Sequence, residues 1–322
     1  MLRRNVLLAA AGGLAIPAVT RAQDTWPSRP IRLVVPYPPG GSTDATARVM
    51  QNAWSEAVGQ PVVIENKGGA SGALGAGEVA RAQPDGYTWL LAYDNQATNE
   101  SITNLSFKTT TDFTPTTLVA TGPLALVANA GAPFKRWADI VQEAKAKPDS
   151  LSYATSGIGG LAHVATVRLA NEAGIRLTHV PYRGGGPALQ DALAGHVPLF
   201  MSNVVIIKEH IEAGRLTPIG VTTAKESRHL PGVRSFAEQG IGNFEALTWW
   251  ALMGPRGVPD PIVRKMQASV AKVLANASVR EKLEAQGADV VGSSPEECGR
   301  FLAGEVERWG KVIRDNKITA DT

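Results

Sequence analysis

Two glycine-rich turns constrain the fold of this chain most strongly, because each follows an apolar strand and precedes a helix. The first turn lies in residues 34–44, VVPYPPGGSTD, and the second in residues 153–160, YATSGIGG. A helix N-terminus exposes unpaired backbone N–H groups and the positive end of the helix dipole, so it can hold an anion without a charged side chain. Two such turns, about a domain's length apart, predict two lobes that bind one small anion between them.

Short apolar runs alternate with helical patterns along the chain, which predicts an α/β fold with mostly parallel sheets. The strands that we expect are Ile31–Val35, Val62–Glu65, Thr88–Ala92, Leu124–Ala128, Leu151–Ala154, Leu177–Val180, Val197–Met201, Pro218–Val221 and Thr248–Met253. Apolar stripes predict helices over residues 49–57 and 262–273, and Pro187 and Gly195 bound another. The last helix begins with a capping box, Ser294 to Glu297.

The length of the chain, 322 residues, is enough for two domains that each bury a core. The best candidates for the crossings between them are Gly122-Pro123 and the segment 242–248. We therefore predict a discontinuous first lobe, residues 23–122 and 248–322, and a second lobe, residues 123–247. Two crossings create a hinge and a cleft, and small ligands usually bind in such clefts.

Residues 1–22 have the pattern of an export signal, which the mature protein lacks. Arg3 and Arg4 precede an apolar stretch, and Thr20-Arg21-Ala22 is typical of a cleavage site. The arginine pair fits a twin-arginine (Tat) signal and also an ordinary secretory (Sec) signal. We therefore expect a protein of the periplasm.

The charge of the mature chain argues against nucleic acid as a partner. The segment 1–22 holds three arginines and no acids, so its removal lowers the formal net charge from +3 to zero. A chain without a basic excess lacks the electrostatic attraction that nucleic-acid binding requires. The sole cysteine, Cys298, excludes an internal disulfide and a cysteine-based metal cluster. We expect a monomer that uses no cofactor and no metal.

Five segments carry a resemblance to a known family and occur in that family's order. They are residues 29–41 with Asp44, residues 63–70 (VIENKGGA), residues 84–88 (PDGYT), residues 179–184 (HVPYRG) and Trp249. By these segments, which extend over nearly the whole mature chain, the protein resembles the periplasmic solute-binding proteins of tripartite tricarboxylate transporters, often called Bug receptors. The resemblance implies a two-lobed Venus-flytrap fold, as in type II-like periplasmic binding proteins, in which helices flank a mostly parallel sheet in each lobe. It also implies capture of a small organic acid for delivery to a membrane permease.

The resemblance further implies which residues bind the acid. One ligand carboxylate would lie on the helix after the second glycine turn, and the Pro-Pro-Gly-Gly loop would reach the other end of the ligand, partly through bridging waters. The positions implied on the first lobe are Tyr37, Pro38, Gly40, Gly41, Ser42, Thr43 and Asp44. Those implied on the second lobe are Thr155, Ser156, Gly157, Gly159, Gly160 and His163.

Two places depart from the family's pattern, and both follow strands at the expected cleft. One is Tyr93-Asp94-Asn95, where small polar residues are common in the family, and the other is Ser202-Asn203, where an acid is frequent. Asp94 either caps a loop or recognises an amine, a hydroxyl or a protonated acid of the ligand. The amides of Asn95 and Asn203 suit a ligand or ordered water. The identity of the acid therefore cannot be copied from a relative.

Other candidate residues have a structural interpretation beside the functional one. We expect Asp44 to order its own loop, because a bare carboxylate would repel an anionic ligand. Arg183 either clamps the ligand carboxylate or ties its glycine loop to the sheet edge, and His163 faces either the cleft or the core. Tyr37 and Trp249 form either an aromatic wall of the cleft or part of the core.

A secreted enzyme that uses the same cleft is the alternative function. Residues 75–80 fit G-x-G-x-x-A with Asp94 about 20 residues later, as in a dinucleotide-dependent oxidoreductase, but Gly75 does not directly follow a strand. A hydrolase would use a nucleophile elbow, and Gly69-Ala70-Ser71-Gly72 lacks the second glycine of G-x-S-x-G. These departures favour a receptor.

Overall fold

The computed structural model of the protein describes residues 26–319, so the expected export signal, residues 1–22, lies outside the described residues. Its strands are β1 Ile31–Val35, β2 Val62–Asn66, β3 Thr88–Tyr93, β4 Phe113–Asn129, β5 Ser152–Thr155, β6 Thr178–Pro181, β7 Leu199–Asn203, β8 Leu216–Val221, β9 Leu247–Pro255 and β10 Asp289–Val290. Its helices are α1 Ser42–Val58, α2 Ala73–Ala80, α3 Asn95–Ile102, α4 Trp137–Ala146, α5 Leu161–Ala173, α6 Gly185–Ala194, α7 Val204–Glu212, α8 Asp260–Ala275, α9 Ala277–Ala285 and α10 Pro295–Asp315. The α/β class and all nine expected strands are confirmed; their ends are shifted by a few residues, except that β4 begins much earlier than expected.

Two sheets share one long strand. The first lobe is built on β2-β1-β3-β9 and the first part of β4, and the second lobe on the last part of β4 with β7, β5, β6 and β8. Pairing is parallel within β2-β1-β3 and within β7-β5-β6, whereas β4 and β9 run antiparallel to their neighbours. The sheets are thus mixed where the sequence predicted mostly parallel ones. The reason is that β4 leads the chain out of the first lobe and β9 leads it back.

Strand β4 begins eleven residues before the strand expected at Leu124, because prolines hide its first part. Proline cannot donate to a sheet ladder, so Pro115 and Pro123 indicate breaks in a sequence pattern. The strand accommodates Pro115 because its pairing with β9 shifts register twice, between Pro115 and Thr117 and between Leu118 and Ala120. Pairing with β9 ends at Pro123, and pairing with β7 begins at Leu124. The lobe boundaries at 122/123 and 247/248 remain a prediction.

Local sequence signals set the ends of the helices. Ser294 and Glu297 form the expected capping box of α10, with the Glu297 N–H 3.2 Å from the Ser294 Oγ atom. Helix α6 ends as expected at Gly195, whose φ of 77° is left-handed. Within residues 26–319, no helix is both long enough and apolar enough to cross a membrane.

The parallel strands place the site. The strands β1, β3, β5, β6 and β7 each lead into the helix that follows, either directly or through a short loop. In open α/β sheets the carboxyl ends of such strands meet at a crevice. Residues after these strands, from both lobes, therefore converge on one region.

Candidate functional site

A cavity of about 820 Å³ lies between the two lobes. The first lobe contributes residues from the segments 37–39 and 66–74, and the second lobe contributes residues from 156–158 and 181–183. Residues of both glycine turns therefore line one cavity, the first turn through Tyr37, Pro38 and Pro39 and the second through Ser156, Gly157 and Ile158. The volume suits a small organic molecule.

Arg183 is the one charged side chain among the described residues that line this cavity. It follows β6, it is exposed, and within residues 26–319 its side chain makes no hydrogen bond or ion pair. A guanidinium matches a carboxylate in charge and in bidentate geometry. The position favours the carboxylate clamp over the alternative role of tying the glycine loop to the sheet edge.

The turn before α1 is held together by its own helix. Gly41 is the N-cap, and the Asp44 carboxylate accepts the Gly40 N–H at 3.0 Å and pairs with Arg48 at 2.9 Å. Asn66 donates to the other Asp44 oxygen at 3.1 Å. Although burial acts to raise the pKa of Asp44, these hydrogen bonds outweigh it and hold the pKa below its usual value. The predicted loop-ordering role of Asp44 has direct support in these contacts.

The turn before α5 is held from beneath by a threonine and two histidines. The Thr155 hydroxyl donates to the Gly157 carbonyl at 3.0 Å and lies 2.7 Å from the His179 Nε2 atom. The His163 Nδ1 atom accepts the Gly159 N–H at 3.2 Å, and the His163 ring stacks on the His179 ring at 4.0 Å. Thr155 and His163 are fully buried. They therefore position the turn instead of lining the large cavity.

His179, one of the two stacked histidines, is neutral near pH 7. Burial, and then the neighbouring His163, lower the pKa of His179 to about 3. The Gly159 N–H is already donated to His163. Ser156, Gly157 and Ile158 are the residues of this turn that line the cavity, and Gly160 is the N-cap of α5. The second turn thus offers hydroxyl and backbone groups without a charged side chain.

Asp94 reaches from the first lobe to the tip of α5 in the second. Its carboxylate accepts the Thr248 hydroxyl at 2.5 Å and the Leu161 N–H at a longer 3.4 Å. Only 2% of Asp94 is exposed, and it makes no side-chain cap to α3, whose N-cap position it occupies. Burial raises its pKa to about 7, against the lowering by Thr248 and Leu161.

A second, much smaller cavity of about 20 Å³ lies deeper between the lobes. Its lining includes Gly41, Ser42 and Thr43 of the first turn, together with Ser156 and Asn203 of the second lobe. The Asn203 Nδ2 atom donates to the Ser42 Oγ atom at 2.9 Å and to the Tyr93 hydroxyl at 2.7 Å. The Asn203 Oδ1 atom is buried without a partner in the described chain. This cavity has room for about one water molecule beside that oxygen.

Aromatic residues divide between the cleft and the core. Tyr37 lines both cavities and packs edge-on against Tyr93, with ring centroids 5.7 Å apart. Trp249 is fully buried and packs edge-on against Phe301 at 5.7 Å. The expectation that Trp249 forms a wall of the cleft is corrected: its strand, β9, is central in the sheet, and its ring points into the core.

A loop that sequence reasoning missed forms one wall of the large cavity. Ala70 and Ser71 have φ angles of 47° and 50°, a strained left-handed conformation that is rare for residues other than glycine. The Ser71 carbonyl accepts the side-chain amides of Asn95 and Asn99, the latter at 3.1 Å. A Cβ atom at Gly157 would lie only 2.7 Å from the Ser71 Oγ atom, so Ser71 faces the second turn closely.

The signal for this loop was present in the sequence as Gly68-Gly69-Ala70-Ser71-Gly72. Residues 68–70 were assigned to a segment of the family resemblance and residues 69–72 were weighed as a nucleophile elbow, but neither interpretation placed the loop at the ligand cavity. Asn95, expected near the ligand, instead braces this loop, and its own Oδ1 atom is buried without a partner among the described residues. The Pro38 ring packs closely against both Gly68 and Gly184. A Cβ atom would lie 2.7 Å from this ring at Gly68 and 3.1 Å from it at Gly184. The loop at residues 68–72 therefore packs against the Pro-Pro-Gly-Gly turn and against the second lobe.

The dinucleotide pattern has a packing explanation in this structure. Gly75 and Gly77 lie inside α2, not at its N-terminus. A Cβ atom at Gly75 would lie 2.8 Å from the Lys67 carbonyl oxygen, so this glycine permits close packing of α2 on the preceding loop. Over residues 26–319, no group of three or more His, Cys, Asp or Glu side chains is arranged to hold a metal ion.

Comparison with known proteins identifies the family. The sequence profile of the tripartite tricarboxylate transporter family receptor matches residues 46–318. The chain belongs to this receptor family. The resemblance expected from the glycine turns and the accompanying segments is confirmed.

Solved structures of similar proteins agree with the fold. The periplasmic binding protein BugD superimposes with a TM-score of 0.87 at 32% identity, covering 91% of this chain and 99% of that protein. MatC from Rhodopseudomonas palustris, solved with bound malate, has a TM-score of 0.86 at 30% identity, covering 89% of this chain and 100% of that protein. Rpa4515 from R. palustris, solved with adipate, has a TM-score of 0.87 at 34% identity, covering 91% of this chain and 99% of that protein. The two-lobed architecture of periplasmic binding proteins is therefore confirmed for this receptor.

Proposed function

We propose that the receptor binds a small organic acid in the cavity between its lobes and delivers it to the membrane permease subunits of a tripartite tricarboxylate transporter. Residues 1–22 would direct export by a Tat or Sec route, and the mature protein would act in the periplasm as a monomer. The protein would use no cofactor and carry out no chemical step. Arg183 would hold the ligand carboxylate, with Tyr37, Pro38, Ser156 and Gly157 around the ligand.

One observation carries this proposal: a cavity of about 820 Å³ has an arginine without a partner and no acid in its described lining. A cation that faces such a gap favours an anionic ligand, because a charge-assisted hydrogen bond would form there. The malate and adipate in the related structures are both carboxylates, which supports the same class of ligand.

Closure of the two lobes would follow from hydrogen bonds that need both of them. The lobes meet at Asn203 and Ser42, at Asp94 and Leu161, and at Gly157, where a Cβ atom would be 2.7 Å from the Ser71 Oγ atom. A ligand that contacts both lobes would shift the population toward this closed arrangement.

A thermal-shift screen tests the proposal. We expect at least one acid from a panel of mono-, di- and tricarboxylates, aromatic acids and acidic amino acids to raise the melting temperature, because a ligand bound only to the native state stabilises it. Arg183→Gln should weaken the binding of that acid by about 10- to 100-fold, the effect of a lost charge-assisted hydrogen bond. Recovery of the acid unchanged after incubation would support a receptor over an enzyme.

The control is Arg300→Gln, which removes the same charge from an exposed position on α10 outside the cavity lining. It should leave the affinity unchanged. The proposal fails if no acid in the panel changes the melting temperature at millimolar concentration, or if the two arginine variants bind equally well.

A further inference from the structure

A cavity of about 420 Å³, here called the side cavity, adjoins the large cavity between the lobes. The two cavities share four lining residues, which are Ala70, Ser71, Leu74 and Ile158. Leu74 and Ile158 are large apolar residues, and they come from opposite lobes. The space that Arg183 faces therefore continues past an apolar boundary into a second compartment.

Leu74 has an exposed side chain on this shared boundary. It is 63% exposed, more than Val63 and Val291, the other exposed large hydrophobic residues of the described chain. A Cβ atom at Gly69 would lie 2.5 Å from the Leu74 Cδ1 atom, so the leucine side chain lies across Gly69, which lines the large cavity. A bound molecule that covered Leu74 would remove apolar surface from water, which is favourable.

The side cavity is lined by apolar and uncharged groups. Among the described residues its lining holds no charged side chain, and the apolar part that it does not share consists of Ala73, Leu105 and Phe107. The Thr103 hydroxyl is already donated to the Asn99 carbonyl at 2.9 Å. Asn104 and Ser106 are exposed, so their polar groups can stay hydrated at the rim. The side cavity therefore suits an uncharged, apolar group.

The groups that suit a carboxylate are found in the large cavity. Arg183 and Ser156 line the large cavity and not the side cavity, and both can donate to a carboxylate. The Gly157 N–H is a weaker donor to a ligand, because it already points to the Thr155 hydroxyl at 3.3 Å. Ser71 lies on the shared boundary, where its hydroxyl can bind the carboxylate or a water molecule. A ligand that used both cavities would therefore have its carboxylate in the large one.

We propose that the receptor binds an acid with an apolar tail, whose carboxylate pairs with Arg183 and whose tail crosses Leu74 into the side cavity. This inference rests on the proposed function and names the class of ligand, a carboxylic acid with an alkyl or aryl chain. It assigns Leu74 as a residue that determines specificity for the length of the tail.

A series of straight-chain acids tests the tail. Butanoate, hexanoate and octanoate carry the same carboxylate and differ only in the number of methylene groups. Full burial of one methylene strengthens binding by about fourfold. Because the rim of the side cavity is exposed, we expect about twofold per methylene, and about tenfold or more from butanoate to octanoate. Calorimetry at about pH 7, where all three acids are ionised, measures this ratio.

Two variants on α2 test where the tail lies. Leu74→Asn keeps the size of the side chain on the shared boundary and makes it polar. Ala73→Gln adds a polar side chain to the side cavity only, so it distinguishes this path from a tail that stays within the large cavity. Each variant should lower the affinity for octanoate by about threefold or more and leave the affinity for butanoate nearly unchanged.

The control is Val291→Asn, which makes an exposed hydrophobic residue polar outside both cavity linings. It should leave the ratio of the two affinities unchanged. If one α2 variant does not fold, the wild-type series and the other variant decide.

The outcomes separate this inference from the proposed function. Affinity that rises with tail length, and rises less in the α2 variants than in the control, supports the inference. Octanoate that binds no more tightly than butanoate overturns the inference and leaves acid binding intact, and so does a ratio that either folded α2 variant leaves unchanged. If no acid of this series or of the wider panel binds, the proposed function fails and the inference fails with it.

Discussion

The turn before α1 and the turn before α5 are built from the same kind of sequence but are completed by carboxylates from different places. In the first, Asp44 lies in the first turn of α1 and accepts the Gly40 N–H of the turn before it. In the second, the helix has no acid in its first turn, and Asp94 arrives from the other lobe. A local carboxylate makes a turn that is complete within one lobe. A distant carboxylate makes a turn that is complete only when the lobes meet.

The pKa values of the two aspartates move in opposite directions for this reason. Asp44 gains Arg48 and the Gly40 N–H, which lower its pKa despite burial. Asp94 is also buried but has no cationic partner among the described residues, so burial raises its pKa to about 7. The same residue type therefore stabilises one turn and costs free energy at the other. Three predictions use this contrast.

The largest effect is expected for Asp94→Asn. An acid whose pKa is raised on folding binds more protons in the native state, so stability falls as the pH rises from its ordinary pKa of 3.8 to about 7. The rise corresponds to up to about 4 kcal/mol at pH 8. Asn cannot ionise, so the variant should be more stable than the wild type at about pH 8 and nearly equal to it at about pH 4.

Urea unfolding of both proteins at the two pH values measures this difference. Asp315→Asn serves as the control for removal of one acid from the surface, and its effect should be within about 0.5 kcal/mol at both pH values. A variant at Asp94 that destabilises the protein at pH 8 would show that the buried carboxylate contributes more than it costs.

The opposite sign is expected for Asp44→Asn. The pKa of Asp44 is lowered on folding, so its contribution is present above the ordinary pKa of 3.8 and is lost as the pH falls below it. We expect a loss of about 2 kcal/mol near pH 7, because hydrogen bonds to a charged group are weakened. Unfolding followed from about pH 7 to about pH 3 should show the two proteins converging in acid. A gain in stability at pH 7 would contradict the contrast between the two turns.

The smallest effect is the difference between Gly157→Ala and Gly40→Ala. Both glycines have positive φ angles, 150° and 85°, so both variants carry backbone strain. A Cβ atom at Gly40 has nothing within 4 Å, whereas one at Gly157 would lie 2.7 Å from the Ser71 Oγ atom of the other lobe. We expect Gly157→Ala to cost about 1 kcal/mol more than Gly40→Ala in denaturant unfolding. Adding Ser71→Ala to Gly157→Ala should reduce that excess. Equal losses of unfolding free energy for the two glycine variants would show that this contact between the lobes does not contribute to stability.

The sequence predicted the strands and the main helix ends because those signals are local. Apolar runs such as Ile31–Val35 and the capping box at Ser294 act over a few residues, and both are present in the structure. The first half of β4 was missed because Pro115 and Pro123 interrupt the pattern. Pairing with β9 along its length keeps that segment extended despite the prolines.

The site was predicted less completely, because its residues meet only in three dimensions. The two turns and Arg183 were identified and do lie around one cavity. The strained loop at Ser71 was missed, since a left-handed conformation at a serine has no reliable signal in sequence. Trp249 was placed at the cleft by its neighbours in the chain, although its ring packs against Phe301.

The sequence by itself determined the α/β class, the positions of both glycine turns and the family, because short-range patterns and ordered motifs are written along the chain. Only the tertiary structure decided which carboxylate completes each turn. Asp44 and Asp94 look alike in the sequence, but their charge depends on what surrounds them after folding: Arg48 beside one, and burial without a cation around the other. Burial and the pairing of charges are properties of the assembled lobes, and no local pattern encodes them.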